Sequence, residues 1–109
     1  MLRVYVAGPY TKGGEADNVR KAIAAADRLM ELGFYPYVPH LTHFWHLLFP
    51  HPWEYWMELD KKYLRVCDIL LRLPGESRGA DEEVGSATRW GIPVVYSMGE
   101  LLNIALGEE

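Results

Sequence analysis

The chain predicts an α/β domain, a doubly wound parallel sheet of four to five strands in three layers, with helices on both faces. Three observations predict it. Short apolar runs rich in β-branched and aromatic residues alternate with segments whose apolar residues recur at three and four positions. Glycine or proline stops four of these runs and segments, at Gly8-Pro9, Gly33, Pro74-Gly75 and Gly91. The order strand, helix repeats four times, which places parallel strands under helices on both sides.

The first strand is LRVYVAG, ending at Gly8-Pro9. From Ala16 to Gly33 the residues Val19, Ala22, Ile23, Ala26, Leu29 and Met30 form one helical face, and Gly33 closes the helix. FYPYVPH is a short strand weakened by Pro36, and Leu41 to His51 is an aromatic and histidine-rich loop that can hold a turn of helix. Pro52 stands at the first position of a helix that continues through Trp53 to Val66. CDILLRL is a hydrophobic strand ended by Pro74-Gly75, Ala80 to Trp90 a helix stopped by Gly91, IPVVYS the last strand, and Met98 to Leu106 the last helix. In such sheets ligands bind beyond the carboxyl ends of the strands. That rim carries residues 8–14, 39–43, 74–81 and the turn after Tyr96.

The 109 residues, 1–109, fit one domain, and a chain this short favours oligomerisation around any deep pocket. Eleven basic against fifteen acidic residues leave a net charge of -4, which supplies no field for a nucleic acid polymer or an anionic membrane. The single cysteine, Cys67, excludes an internal disulfide and suits a reducing compartment. With no secretory signal and no run near the roughly 20 apolar residues of a membrane span, the expectation is a soluble cytoplasmic protein.

The rim segment GPYTKGGE approaches a phosphate loop, but Gly14-Glu15 stand where that loop needs Lys-Ser/Thr, so a nucleoside triphosphatase is rejected. Gly8 and Gly13, which have the spacing of that loop, still allow backbone amides to approach an anion or a sugar, or make a plain strand-to-helix turn. His40, His43, His46 and His51 match no metal signature, and no metal or redox cofactor is expected. His40, directly after a strand, is the histidine expected to face ligand.

Two acids stand on apolar helical faces. The stripe Trp53, Trp56, position 60, Tyr63 or Leu64, Cys67 places Asp60 toward the core. A carboxylate there must be paired, with Arg65 or Arg72, or cap a turn, or serve as an acid with a raised pKa. In RGADEEVGSA, Glu82 shares an outward face with Ser86 and Arg89, while Glu83 shares the face of Ala80, Ala87 and Trp90 that lies on the sheet. Asp81 sits near the helix start, favoured by the dipole. Glu83 is the candidate nucleophile and Asp81 the candidate ligand holder; all three acids also suit a helix N-terminus.

The strand VYVAGPY, Asp60 eight residues before Asp68, and SRGADEEVGSA together resemble the nucleoside 2-deoxyribosyltransferase superfamily, which includes the deoxynucleoside 5'-monophosphate N-glycosidases. The signature Ser-x-Gly-x-x-x-Glu-aliphatic-Gly-x-Ala is met by Ser77, Gly79, Glu83, Val84, Gly85 and Ala87. The resemblance implies a flavodoxin-like fold and a small nucleoside or nucleotide substrate, in a homodimer or homotetramer whose neighbouring subunit closes the site. It implies that Glu83 forms a glycosyl ester, that Asp60 assists or holds the base, and that Tyr5 orients nucleophile or sugar. Ser77 and Gly79 would join Gly8, Pro9, His40 and Asp81 around the substrate, with Ser77 and the helix N-terminus meeting a 5'-phosphate. Alternatives are a nucleotide-binding module without turnover, or an interaction protein that uses the aromatic loop 41–51.

Overall fold

A computed structural model describes residues 2–107 of the chain. Strand β1 (Arg3–Ala7) lies inside a four-stranded parallel sheet with β2 (Tyr35–Tyr37), β3 (Ile69–Arg72) and β4 (Val94–Val95), in the order β2-β1-β3-β4. Tyr5 stands opposite Tyr37 on one side and Leu70 on the other. The chain steps outward from β1 to β2, then crosses back to place β3 on the other side, so the order of strand addition reverses between β1 and β3. This is the doubly wound, flavodoxin-like order, and the reversal defines where a ligand crevice opens.

Strand alternation divides the core in two. Val4 and Val6 point toward helices α1 (Glu15–Glu31) and α5 (Met98–Ala105), against Ala22, Ala26, Leu29 and Leu101. Tyr5 and Ala7 point to the opposite face, against Leu64, Ala80 and Ala87 of helices α3 (Trp53–Leu64) and α4 (Arg78–Arg89). All four residues of β3 are buried, as a central parallel strand requires. Pro36 is tolerated because β2 is an edge strand, where a missing N–H costs no ladder partner on the open side.

Several expectations are corrected. In α1 the buried stripe is Val19, Ala22, Ala26 and Leu29; Ile23 and Met30 lie at its margin and are exposed, because one sheet face covers less than the full apolar arc. Gly33 has φ 93, the left-handed conformation that ends the helix. Residues 41–51 are not a loop with a turn: a 3-10 turn (Pro39–Thr42) runs into helix α2 (His43–Leu48), since HFWHLL holds no breaker before Pro50. Pro52 is the residue before α3 rather than its first residue, with φ -59 and ψ 149, and its carbonyl accepts from Tyr55 N at 3.0 Å. The last strand keeps only Val94 and Val95 of IPVVYS. Helices α4 and α5 start at serine caps: Ser77 Oγ accepts from Ala80 N at 3.0 Å and Ser97 Oγ from Glu100 N at 3.1 Å. Among the described residues no helix is long and apolar enough to cross a membrane.

The split stripe of α1 gives a direct test. Leu29→Ala, at a fully buried site, is expected to destabilise by about 2–5 kcal/mol. Met30→Ala, one residue on but exposed, is expected to change stability by no more than about 0.5 kcal/mol. Urea unfolding of the two variants measures both.

Candidate active site

Three side chains from three elements meet on the α3/α4 face of the sheet. Tyr5, on β1, is wholly buried and donates its hydroxyl to Glu83 Oε2 on α4, across 78 residues of sequence. The small Ala80 and Ala87, on the same face of α4 as Glu83, let the helix approach the sheet. Glu83 lies in the second turn of α4, one turn deeper than a first-turn acid, and is 5% exposed. Asp60, from α3, is 7% exposed, and its Oδ1 has no protein hydrogen-bond partner. Neither arginine weighed as its partner serves it, because Arg72 turns to other acceptors.

Burial sets the proton chemistry of the pair. Desolvation pushes Asp60 up to about 7. Glu83 is pushed up to about 8, first by burial; the Tyr5 hydroxyl opposes this, the nearby Asp60 charge adds to it, and Lys61 and Arg72 lower it. The Tyr5 phenol is raised by burial and then by Glu83 and Asp60, so it stays a donor. Tyr5 stacks on Tyr37 with ring centroids 5.5 Å apart, and Tyr37 on Tyr63 at 4.8 Å, which walls the site with aromatic rings on the β2 side. Tyr37 gave little advance sign beyond its place in FYPYVPH.

The loop from β1 to α1 is fastened by side chains. His40, buried, holds the Pro9 carbonyl through Nε2 at 2.9 Å, so it faces this loop rather than an open groove; its own pKa is lowered by desolvation. Asn18 Nδ2 donates to the carbonyls of Tyr10 at 2.9 Å and Lys12 at 2.6 Å, a role with no sequence signal beyond a polar residue on a buried stripe. Tyr10 and His43 are hydrogen-bonded at 2.5 Å. His46 Nδ1 accepts from Trp56 Nε1 at 2.8 Å. Among the described residues no three His, Cys, Asp or Glu side chains gather so as to hold a metal ion.

The remaining predicted residues take definite places. A Cβ on Gly8 would stand 3.1 Å from Leu73 Cβ, so this glycine serves the close approach of two rim loops. Gly75, at φ +118, is pressed against Pro9 in the same seam. Gly79 is where α4 meets α3, with Met57 Sδ 3.3 Å from the position of a Cβ. Asp81, 71% exposed in its side chain, pairs with the buried Arg72 at 2.9 Å. Glu82 pairs with Arg78 at 3.5 Å, but Ser86, expected to share its outward face, is buried beside Glu83's side of the helix. An open groove of about 660 Å³ is lined by Lys61, Glu76, Arg78, Asp81, Glu82, Gly85 and Arg89. A second, of about 460 Å³ at the rim, is lined by Arg72, Leu73, Pro74, Gly75, Asp81, Val84 and Tyr96. Asp81 borders both, and neither is lined by Glu83 or Asp60. The larger groove is therefore not where the perturbed acids are.

The fold and site define a doubly wound α/β domain with a buried Tyr-Glu-Asp group beside its switch point. The chain belongs to the family described as "Domain of unknown function (DUF4406)", whose model matches residues 2–96. Among solved structures it is similar to a 2-deoxyribosyltransferase from the psychrotolerant bacterium Bacillus psychrosaccharolyticus, with TM-score 0.61 and 20% identity, over 84% of this chain and 69% of that one. That likeness is one of fold. No curated protein matches the chain.

The raised carboxyls make stability depend on pH. Both folded pKa values, about 7 and about 8, lie above the ordinary carboxylate range, so the native state holds more protons than the unfolded chain between that range and pH 8. Stability from these groups is fully present in acid and is lost as pH rises through the folded values. Denaturant titrations from pH 5 to pH 9 are expected to show this decline, and Glu83→Gln to flatten it.

Proposed function

We propose that the chain cleaves or exchanges the N-glycosidic bond of a nucleoside or 2'-deoxynucleoside, or of its 5'-monophosphate, through a covalent glycosyl-Glu83 intermediate. The observation that carries this reading is the buried Tyr5–Glu83 hydrogen bond with Asp60 close enough to act on Glu83's charge. Two carboxyls in unlike surroundings, one with a fixed hydroxyl partner and one with an orphaned oxygen, are what a displacement at an anomeric carbon needs. The fold shared with a 2-deoxyribosyltransferase supports the substrate class.

A carboxylate oxygen of Glu83 attacks C1' while the C1'–N bond breaks and its electron pair goes to the base. Asp60, protonated below about pH 7, gives the proton that the departing base takes. Tyr5 holds the other Glu83 oxygen and fixes the direction of attack. Water or the nitrogen of a second base then attacks C1' as the C1'–O bond to Glu83 breaks and its electron pair returns to the carboxylate, while Asp60, left ionised by the first step, takes the proton that the nucleophile loses. Water makes a hydrolase and a base makes a transferase. Ser77 Oγ spends only a lone pair on its helix cap, so its hydroxyl proton stays free for a 5'-phosphate. Asp81 and the rim residues Gly8 and Pro9 bound the sugar side, His40 holding that rim in place. The unit of function is a single domain over 1–109, acting as a homodimer or homotetramer.

A second reading draws on the exposed face Leu41, Phe44, Trp45, Leu47, Leu48 and Phe49, which suits an interaction protein. A panel of 2'-deoxynucleosides and their 5'-monophosphates, incubated with and without a free base, separates the two. Base release is expected from wild type; Glu83→Ala is expected to abolish it, and Asp60→Asn to slow it by about 10²–10⁴-fold. Absence of release by wild type, or unimpaired release by Glu83→Ala, rejects the enzyme.

The pH profile of kcat/KM is a further test. The productive form has Glu83 ionised and Asp60 protonated, and the pair carries one proton between about pH 7 and about pH 8, so a bell with its maximum in that interval is expected. Tyr5→Phe removes a bond that favours ionised Glu83; the upper limb is expected to move to higher pH and the maximum to fall.

A further inference from the structure

We infer that Met57 is the gate through which substrate reaches Glu83 and Asp60, and that its side chain sets the size of the base accepted; this rests on the proposed glycosidic reaction. The two acids are nearly sealed, and neither groove described above is lined by them. A substrate must therefore enter by displacing something. Met57 precedes Asp60 by three residues on α3, and Gly79 precedes Glu83 by four on α4. On facing helices these spacings put the Met57–Gly79 contact one turn, about 5.4 Å, above the carboxyl pair. Both helices begin at the carboxyl rim of the sheet, so the contact lies between the acids and the rim.

The plug has the composition of a movable part. Met57 is 8% exposed, and its sulfur stands 3.3 Å from where a Gly79 Cβ would be, closer than most side-chain contacts allow. Trp53 Nε1 is 3.9 Å from the same point, and the Arg78 guanidinium covers the Trp53 ring at 4.8 Å, closing the outside. Methionine has three rotatable bonds and repacks at little cost, whereas the other wall, the Tyr5–Tyr37–Tyr63 stack, is built of rigid rings. The open position of Met57 would lie along the edge of the departing base, where its bulk limits ring size.

Two measurements test this. In the first, a water-soluble carbodiimide and an amine convert accessible carboxylic acids to amides, located by mass spectrometry of peptides. Glu83 is expected to label about tenfold faster in Met57→Ala than in wild type, with exposed Glu76 unchanged and Met30→Ala like wild type. Met57→Val is used in the same way where Met57→Ala does not fold. In the second, base release from a purine and a pyrimidine 2'-deoxynucleoside is compared. Met57→Ala is expected to raise kcat/KM for the purine relative to the pyrimidine by about tenfold, and Met57→Leu, of similar volume, to keep the wild-type ratio. Unchanged Glu83 labelling in folded Met57→Ala and Met57→Val overturns the gate. A purine-to-pyrimidine ratio that does not move in an active enzyme overturns its role in specificity. Failure of wild type to release any base rejects the proposed reaction, while the labelling still decides the gate.

Discussion

The α3/α4 half of the molecule is organised around one awkward object, an acid placed where the core should be. Alternation along β1 sends Tyr5 to that face, and its hydroxyl is the partner that makes Glu83 tolerable there. To bring Glu83 within reach, α4 must ride close on the sheet, which is why its inner face is Ala80, Ala87 and Ser86 rather than leucines. Losing one partner of such a buried hydrogen bond costs about 1–3 kcal/mol, so the arrangement is kept whole or not at all. Desolvation, only partly offset by Tyr5, Lys61 and Arg72, leaves Glu83 holding its proton near neutrality.

The two faces of the sheet divide the work. Toward α1 and α5 the layer is hydrocarbon: Val4, Val6, Ala22, Leu29, Ile69, Leu71 and Leu101. Toward α3 and α4 the buried residues include Tyr5, Asp60, Cys67, Glu83 and Ser86. Burial also lifts the Cys67 thiol to about 11, which keeps it a neutral core residue rather than a nucleophile. One face supplies stability at no chemical risk, and the other can then carry polar groups in a low-dielectric setting, where their mutual effects are strong.

Much of this was legible from residues in order. Period and punctuation reveal the strands and long helices because each buried face is apolar along its length. Asp60 and Glu83 stand out for the converse reason: an acid on an apolar stripe breaks the pattern, and the face argument separates Glu83 from Asp81 and Glu82 without coordinates. What escaped is set by three-dimensional coverage. Ile23 and Met30 have the right period, yet the sheet does not reach them. Trp53 also lies outside the buried stripe of α3, which Met57 joins in its place. The pattern of HFWHLL is weak because α2 buries no residue completely. Asp60 has no fixed partner because Arg72 is spent elsewhere, a choice made by loop geometry and not by spacing.

That use of Arg72 bears on how the domain could vary. Its guanidinium, at the end of a fully buried strand, donates to the Leu73 and Gly75 carbonyls and to Asp81. The loop that follows β3 is thus measured from inside by a side chain of fixed reach. One residue more or fewer between Arg72 and Ser77 would strip a buried cation of its acceptors. This rim loop is therefore closed to the insertions and deletions by which surface loops ordinarily diverge, and variation in this fold would be channelled to the α2 side instead.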